Sequence, residues 1–206
     1  MIEIETGKNP VASVIWLHGL GADGHDFEPV VPELRLAAPL RFVFPHAPVR
    51  PVTINGGVSM RAWYDILQLG PGPEDEAGIR ASQKVVEGMI EKEKNPVFLA
   101  GFSQGGAVVL QTALRYPKKL KGVLALSTYL PLSASLSKEK QAENQGIPIF
   151  MAHGSYDPVI PMARAVMSRE VLERHGYKVQ WHEYPMPHSV CAEEIADISA
   201  FISRLL

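Results

Sequence analysis

The stretch FLAGFSQGGAVV, residues 98–109, sets a single serine, Ser103, between Gly101 and the pair Gly105 and Gly106, with apolar sequence on both sides. Upstream, residues 97–100 form a short, wholly apolar run bounded by Asn95-Pro96 and Gly101, which reads as a strand buried on both faces. Downstream, residues 107–116 favour a helix and stop at Pro117. A strand that hands over to a helix this abruptly strains the backbone at the serine and lifts its hydroxyl clear of the sheet. Glycines on either side remove the Cβ atoms that would collide in such a turn. Gly-x-Ser-x-Gly recurs by chance in many chains. The strand before it and the helix after it give it chemical meaning, as the seat of a nucleophile.

Working outward, further buried strands are predicted at 13–17, 42–44, 123–127, 148–152 and 179–184. Helical patterns lie between them. In residues 74–94, Ile79, Val86, Met89 and Ile90 share one face, and Ile195, Ile198, Ile202 and Leu205 repeat that spacing near the C-terminus. Another helix is expected from near Pro161 to Gly176. Short apolar strands alternating with amphipathic helices imply an α/β fold, a mostly parallel central sheet with helices on both faces. Sheets of this kind carry their chemistry at the carboxyl ends of the strands, so each functional residue should stand just beyond one. Residues 45–78 resist the pattern, being rich in Pro and Gly and without periodicity. Long connections of this sort are often functional. The apolar side chains within it (Val58, Met60, Trp63, Tyr64, Ile66, Leu67 and Leu69) predict packing over the mouth of the site.

A nucleophile needs a base, and seven histidines compete. His188 follows the strand at 179–184 and precedes the last helix, on a loop able to reach back over the sheet. His182 lies within a strand, His175 at a helix end, and His18 and His153 open glycine-containing loops that they are better placed to brace. His25 and His46 lie in loops preceding Ser103. For the orienting acid, Asp157 in HGSYDPVIP follows a strand and is locked by Pro158, whereas Asp197 and Glu183 sit inside regular elements. The order Ser103, Asp157, His188 is that of α/β-hydrolases and of neither chymotrypsin-type nor subtilisin-type enzymes. Acyl transfer also needs donors for an oxyanion. The N–H of Gln104, at the positive end of its helix, is one, and the N–H of Leu20, in the strand-end loop HGLG, is assigned as the second. A phosphate loop is not indicated, because no Gly-Lys-Ser/Thr follows. Cys191 starts a helix rather than an elbow, and His182, Glu183 and His188 lack the helical spacing of a zinc site, so no metal is expected.

The 206 residues suit one domain over 1–206, and the balance of 46% hydrophobic with 20% charged residues is that of a soluble globule. A net charge of −2 favours neither nucleic acid nor an anionic membrane surface, and no apolar run is long enough for stable membrane insertion. One cysteine excludes an internal disulfide, and MIEIETGKNP shows no leader, so a cytoplasmic location is expected.

LHGLGADGHDF, FPHAPVRPVTINGGVSMRAWYDI, DEAGIRAS, GFSQGGAVVL, LSTYLP, HGSYDPVIP and PHSVCAEEI together resemble the carboxylesterase and acyl-protein thioesterase family, also called phospholipase/carboxylesterase, with the bacterial carboxylesterase branch the nearer. The resemblance spans nearly the whole chain. It implies an α/β-hydrolase fold without a separate cap domain, Ser103, Asp157 and His188 as the triad, and Leu20 and Gln104 at the oxyanion. It also implies hydrolysis without cofactors, often in a homodimer. One departure is Thr128, where the family commonly has glycine. The activity expected is hydrolysis of short- to medium-chain carboxylic esters through an acyl-enzyme on a small-molecule substrate. Acyl-protein thioesterase or lysophospholipase activity is the alternative, and a non-catalytic binding protein on the same frame a third. From loop position, Trp63, Leu67, Leu69, Leu130 and Val159 are the candidate substrate contacts.

Overall fold

The computed structural model describes residues 1–68, 70 and 72–206. The chain begins β1 (Ile2–Glu5), β2 (Ala12–Leu17), α1 (Val30–Glu33), β3 (Leu40–Phe44), β4 (Val49–Val52), β5 (Val58–Arg61) and α2 (Glu76–Ile90). It continues β6 (Val97–Phe102), α3 (Gln104–Arg115), β7 (Gly122–Leu126), α4 (Leu136–Glu139), β8 (Ile149–Gly154), α5 (Met162–Arg174), β9 (Val179–Tyr184) and α6 (Ala192–Leu205). The main sheet has the order β1-β3-β2-β6-β7-β8-β9. Only the β1–β3 pair in it is antiparallel. The parallel strands β2, β6, β7, β8 and β9 therefore all end on one edge, where their following loops gather.

Both faces of this sheet are covered, which is why its central strands are apolar without interruption. Val14 and Trp16 of β2 enter one cluster with Phe98 and Ala100 of β6 and Phe150 and Ala152 of β8. Ile15, Leu17, Leu99, Ile149 and Met151 enter the other. α6 closes the first cluster with Ile198, Phe201 and Ile202, and α2 and α5 help close the second with Ile79, Val86 and Leu172. α3 is buried at every position. Two of its polar side chains reach partners on other elements: Gln111 Nε2 donates to Gln83 Oε1 (2.9 Å) and Arg115 Nε to Glu139 Oε2 (2.6 Å). Burial alone would raise the Glu139 carboxyl, but hydrogen bonds from Ser135, Arg115 and Arg80 hold it at about 2. The first turn of α3 presses on the end of β2. A Cβ on Gly105 would overlap the Leu17 carbonyl oxygen and stand 2.6 Å from that of His18.

Four features depart from the sequence reading. β9, expected as a buried strand, is half-buried along most of its length. β1 pairs antiparallel at the sheet edge with alternating exposure, too short and too acidic to register as a strand from composition. Residues 45–78 contain the β4–β5 hairpin, a separate two-stranded sheet. And this excursion does not simply cover the site: Trp63 and Tyr64, at 1% and 2% exposure, sink into the cluster beneath it. Leu69 lies outside the described residues. Among those residues no helix is long and apolar enough to cross a membrane.

α6 is tied to β9 by polar contacts. Tyr184 donates its hydroxyl to Asp197 Oδ2 (2.7 Å), and His182 Nδ1 stands 3.3 Å from the same oxygen while its ring stacks on Phe150. In the first turn of α6, Glu194 is fully buried, and neither carboxyl oxygen has a hydrogen-bond partner among the described residues. Burial pushes this carboxyl up to about 8. Asp197 adds to the shift, and the Cys191 N–H, outside hydrogen-bond geometry, offsets only part of it.

Two stability measurements test this packing. Gly105→Ala is expected to cost roughly 1–3 kcal/mol in urea unfolding, because the atoms it meets are backbone and have nowhere to go. Gly88→Ala in α2, where an added Cβ meets nothing, should gain roughly 0.5–1 kcal/mol. Glu194 also sets a pH dependence. Its folded-state value of about 8 lies above that of an unfolded carboxyl, which is ~4.3. The stability of the neutral form is thus fully present in acid, declines as pH rises past the unfolded value, and is lost through the folded one. Glu194→Gln should flatten the stability–pH curve over that window and stabilise most on its alkaline side; curves of unchanged shape would contradict this.

Candidate active site

Ser103 stands at the end of β6 with φ 54° and ψ −117°. A non-glycine residue there holds strain on the order of 1–3 kcal/mol and persists only where its surroundings over-determine it. They do. The Ser103 N–H donates to Leu126 O (2.9 Å), and its carbonyl accepts both the Ala107 N–H (3.1 Å) and the Thr128 hydroxyl (2.6 Å). A Cβ on Gly101 would overlap the Gly105 backbone, and one on Gly106 would stand 2.7 Å from Thr128 Cβ. Thr128, the departure from the family pattern, thus anchors the elbow from the neighbouring strand end, and Gly106 leaves room for it.

Asp157 follows β8 and His188 follows β9. His188 Nδ1 meets Asp157 Oδ2 at 2.6 Å, the carboxylate being fully buried and the imidazole 16% exposed. The other carboxylate oxygen accepts the N–H groups of Val159 (2.8 Å) and Ile160 (2.9 Å), a turn in which an aspartate satisfies the backbone just after it. His153 braces the same loop, with its Nε2 2.8 Å from Ile160 O and 3.4 Å from Asp157 Oδ2. A carboxylate can only accept, so His188 carries its proton on Nδ1 and leaves Nε2 with a free lone pair. The Phe102 ring, next to the serine, packs on the imidazole at 4.7 Å between centroids. Among the described residues no hydrogen bond joins Ser103 Oγ to His188. Such bonds often tighten only when substrate is bound.

β2 is the parallel neighbour of β6, so the loop after it lies beside the elbow. A Cβ on Gly19 would stand 3.4 Å from Ser103 Cβ. His18 Nε2 accepts the Ala47 N–H (3.0 Å), which leaves the ring proton on Nδ1 to donate to Gly19 O (2.7 Å). Burial pushes the His18 imidazole below its ordinary value and keeps it neutral in this role. The Gly21 N–H is taken by Arg61 O (2.9 Å), whereas the Leu20 N–H has no acceptor among the described residues. The Gln104 N–H opens α3, where no intrahelical acceptor exists.

The candidate substrate contacts separate. Leu130 lines an apolar cavity of about 310 Å³ together with Met167 and Val171 and with Arg164, whose guanidinium stacks on Tyr129. Leu67 is exposed at an adjoining cleft, and Val159 is exposed beside Asp157. Trp63 is a correction: at 1% exposure it is buried in the core, where its indole N–H donates to His18 O (3.0 Å) and the ring braces the loop after β2. Its isolated aromatic signal did not distinguish a pocket wall from a brace. Sequence reasoning also missed Phe102, for which no motif exists, and the hydroxyl role of Thr128. Cys191 caps α6, where burial pushes its thiol up, away from thiolate chemistry.

The sequence profile of the family described as Phospholipase/Carboxylesterase matches residues 1–206. Acyl-protein thioesterase 1 of Neurospora crassa is 40% identical over 95% of this chain and 87% of that protein. Acyl-protein thioesterase 1 of Mycosarcoma maydis is 35% identical over the whole of this chain and 96% of its own length. The crystal structure of acyl-protein thioesterase 2 from Zea mays superposes with a TM-score of 0.89 at 26% identity, covering 98% of both chains. A mostly parallel sheet, a strained serine after its central strand and a full-length family match agree, and the chain belongs to the phospholipase/carboxylesterase family, serine hydrolases of the α/β-hydrolase fold.

Proposed function

We propose that the chain is an acyl thioesterase and esterase of the acyl-protein thioesterase kind, working through an acyl-enzyme on Ser103. The hydrogen bond of 2.6 Å between buried Asp157 and His188 carries the reading, because it leaves a basic Nε2 on a loop beside the strained serine. As Ser103 Oγ attacks the acyl carbonyl carbon, its proton passes to His188 Nε2, and Asp157 stabilises the imidazolium without itself taking the proton. Charge gathers on the former carbonyl oxygen, where the N–H groups of Leu20 and Gln104 receive it; losing one such donor typically costs ~3 kcal/mol. Collapse of the intermediate breaks the C–S or C–O bond, and His188 protonates the leaving thiol or alcohol. Water then repeats the sequence on the acyl-enzyme.

The thioester preference rests on relatives 35–40% identical over nearly the full chain that are acyl-protein thioesterases. The apolar cavity at Leu130 supports it from the chain's own side, since Leu130 lies two residues beyond Thr128, which holds the Ser103 carbonyl. In this reading the acyl chain lies along Leu130, Met167 and Val171. A carboxylesterase with short- to medium-chain esters is the second reading, favoured by the same triad geometry.

Fluorophosphonate should label the wild type and leave Ser103→Ala unlabelled, with at least about 10⁴-fold less turnover. Asp157→Asn should fold normally and lose about 10⁴-fold in kcat through the wrong histidine tautomer. Long-chain S-acyl peptides should then be cleaved with higher kcat/KM than p-nitrophenyl butyrate. Turnover of the short ester alone would sink the thioesterase reading and leave the esterase standing.

A further inference from the structure

The side chain of Gln104 has no part in the scheme above, which uses only its backbone N–H. Yet it is 2% exposed, and both ends of its carboxamide are engaged. Oε1 accepts the Trp63 N–H (2.8 Å) and Nε2 donates to Tyr64 O (2.7 Å). A backbone N–H only donates and a carbonyl only accepts, so this amide has one orientation. Trp63 passes the constraint on. Its Nε1 donates to His18 O (3.0 Å), the carbonyl against which Gly105 is packed. Ser82 Oγ holds the Trp63 carbonyl from α2. The result is a closed circuit: from the start of α3 through the Gln104 side chain to residues 63 and 64, through the indole to the loop after β2, and back to α3 at Gly105.

Those two stretches of backbone also carry the Leu20 and Gln104 N–H groups. We propose that the Gln104 carboxamide, acting through the Trp63 indole, is a positioning residue that sets the separation and aim of the two oxyanion donors; this rests on the function proposed above. The circuit explains why residues 45–78 bury an aromatic pair under the site. One hydrogen bond from this excursion holds the donor loop at His18, a second at Gly21 through Arg61 O, and a third reaches the His18 ring from the Ala47 N–H. The loop after β2 bears glycines at 19 and 21, and the excursion holds its backbone and the His18 ring at these three points. Preorganised donors stabilise a developing charge only if they need not move to meet it.

The test compares wild type, Gln104→Met, Trp63→Phe and the double variant. Methionine keeps the length of glutamine without its hydrogen bonds, and phenylalanine keeps a six-membered aromatic ring while losing the pyrrole ring that carries Nε1. With p-nitrophenyl butyrate, each single variant should lose roughly ten- to a hundredfold in kcat while KM stays within about twofold. The inhibition constant of a trifluoromethyl ketone, whose adduct with Ser103 places an oxyanion in the hole, should rise in proportion to the fall in kcat/KM. The double variant should be no slower than the slower single, because both changes break one circuit. A merely structural role would lower the melting temperature without moving the inhibitor and kcat together. Folded variants with wild-type kcat and inhibition overturn the proposal, as do losses that multiply in the double. If Gln104→Met does not fold, the gentler Trp63→Phe decides alone. Ser103→Ala separates the two levels: if it still turns over at the wild-type rate, the proposed function itself is wrong. If it is inactive while Trp63→Phe is unimpaired, only the positioning role falls.

Discussion

The contact on which the site depends is the one between backbone and backbone at the head of α3. Gly105 lies so close to the carbonyls of Leu17 and His18 that no side chain fits, and Gly101 lies equally close to Gly105. This approach brings the end of β2, the turn at Ser103 and the first helical N–H into one small volume. It also requires the serine backbone to bend through a φ of 54°. The strain is sustained by two apolar layers that hold the sheet rigid, by the bond the strained residue donates to Leu126 O and by those it accepts from Ala107 and Thr128. Looser layers would let the turn relax, and the hydroxyl would sink back toward the sheet.

Around that point, three polar side chains are buried and matched at each of their polar ends. Asp157 receives two backbone N–H groups and one imidazole, His18 spends both ring nitrogens on backbone, and Gln104 spends both ends of its amide. In a low-dielectric interior each of these pairs is worth more than it would be in water, and each fixes an orientation as well as an energy. Glu194 is the counterexample close at hand, a buried carboxyl with neither oxygen paired, which stays neutral well above the usual carboxylate range. The contrast separates groups that order the site from one that is only packed inward from the first turn of the helix following His188.

Much of this was legible in the primary order because the parallel strands are buried on both faces. Covered strands must be continuously apolar, so β2, β6, β7 and β8 stand out, and the residues just after them are then few enough to sort by chemistry. Ser103, Asp157, His188 and Leu20 all emerge from that sorting at strand ends. β1 did not, because a half-exposed edge strand of alternating Ile and Glu has no distinctive composition. Trp63 was found but misassigned. A lone aromatic in a Pro- and Gly-rich stretch has no periodicity to show which way it faces, and its indole turned inward to a carbonyl 45 residues away in sequence.

The amino-acid order by itself determined the class of fold and the elbow, and it singled out the residues proposed as nucleophile, acid and base, since each follows from local rules: burial period, turn sterics and position after a strand. The tertiary structure alone decided what holds them. That Thr128 anchors the serine carbonyl, that Phe102 props the imidazole, and that Gln104 reaches through Trp63 to the loop after β2 are contacts between residues distant along the chain. Hydrogen bonds and ring contacts of this kind depend on angles and on separations of a few ångströms, and those exist only once the sheet has closed and the excursion has packed against it.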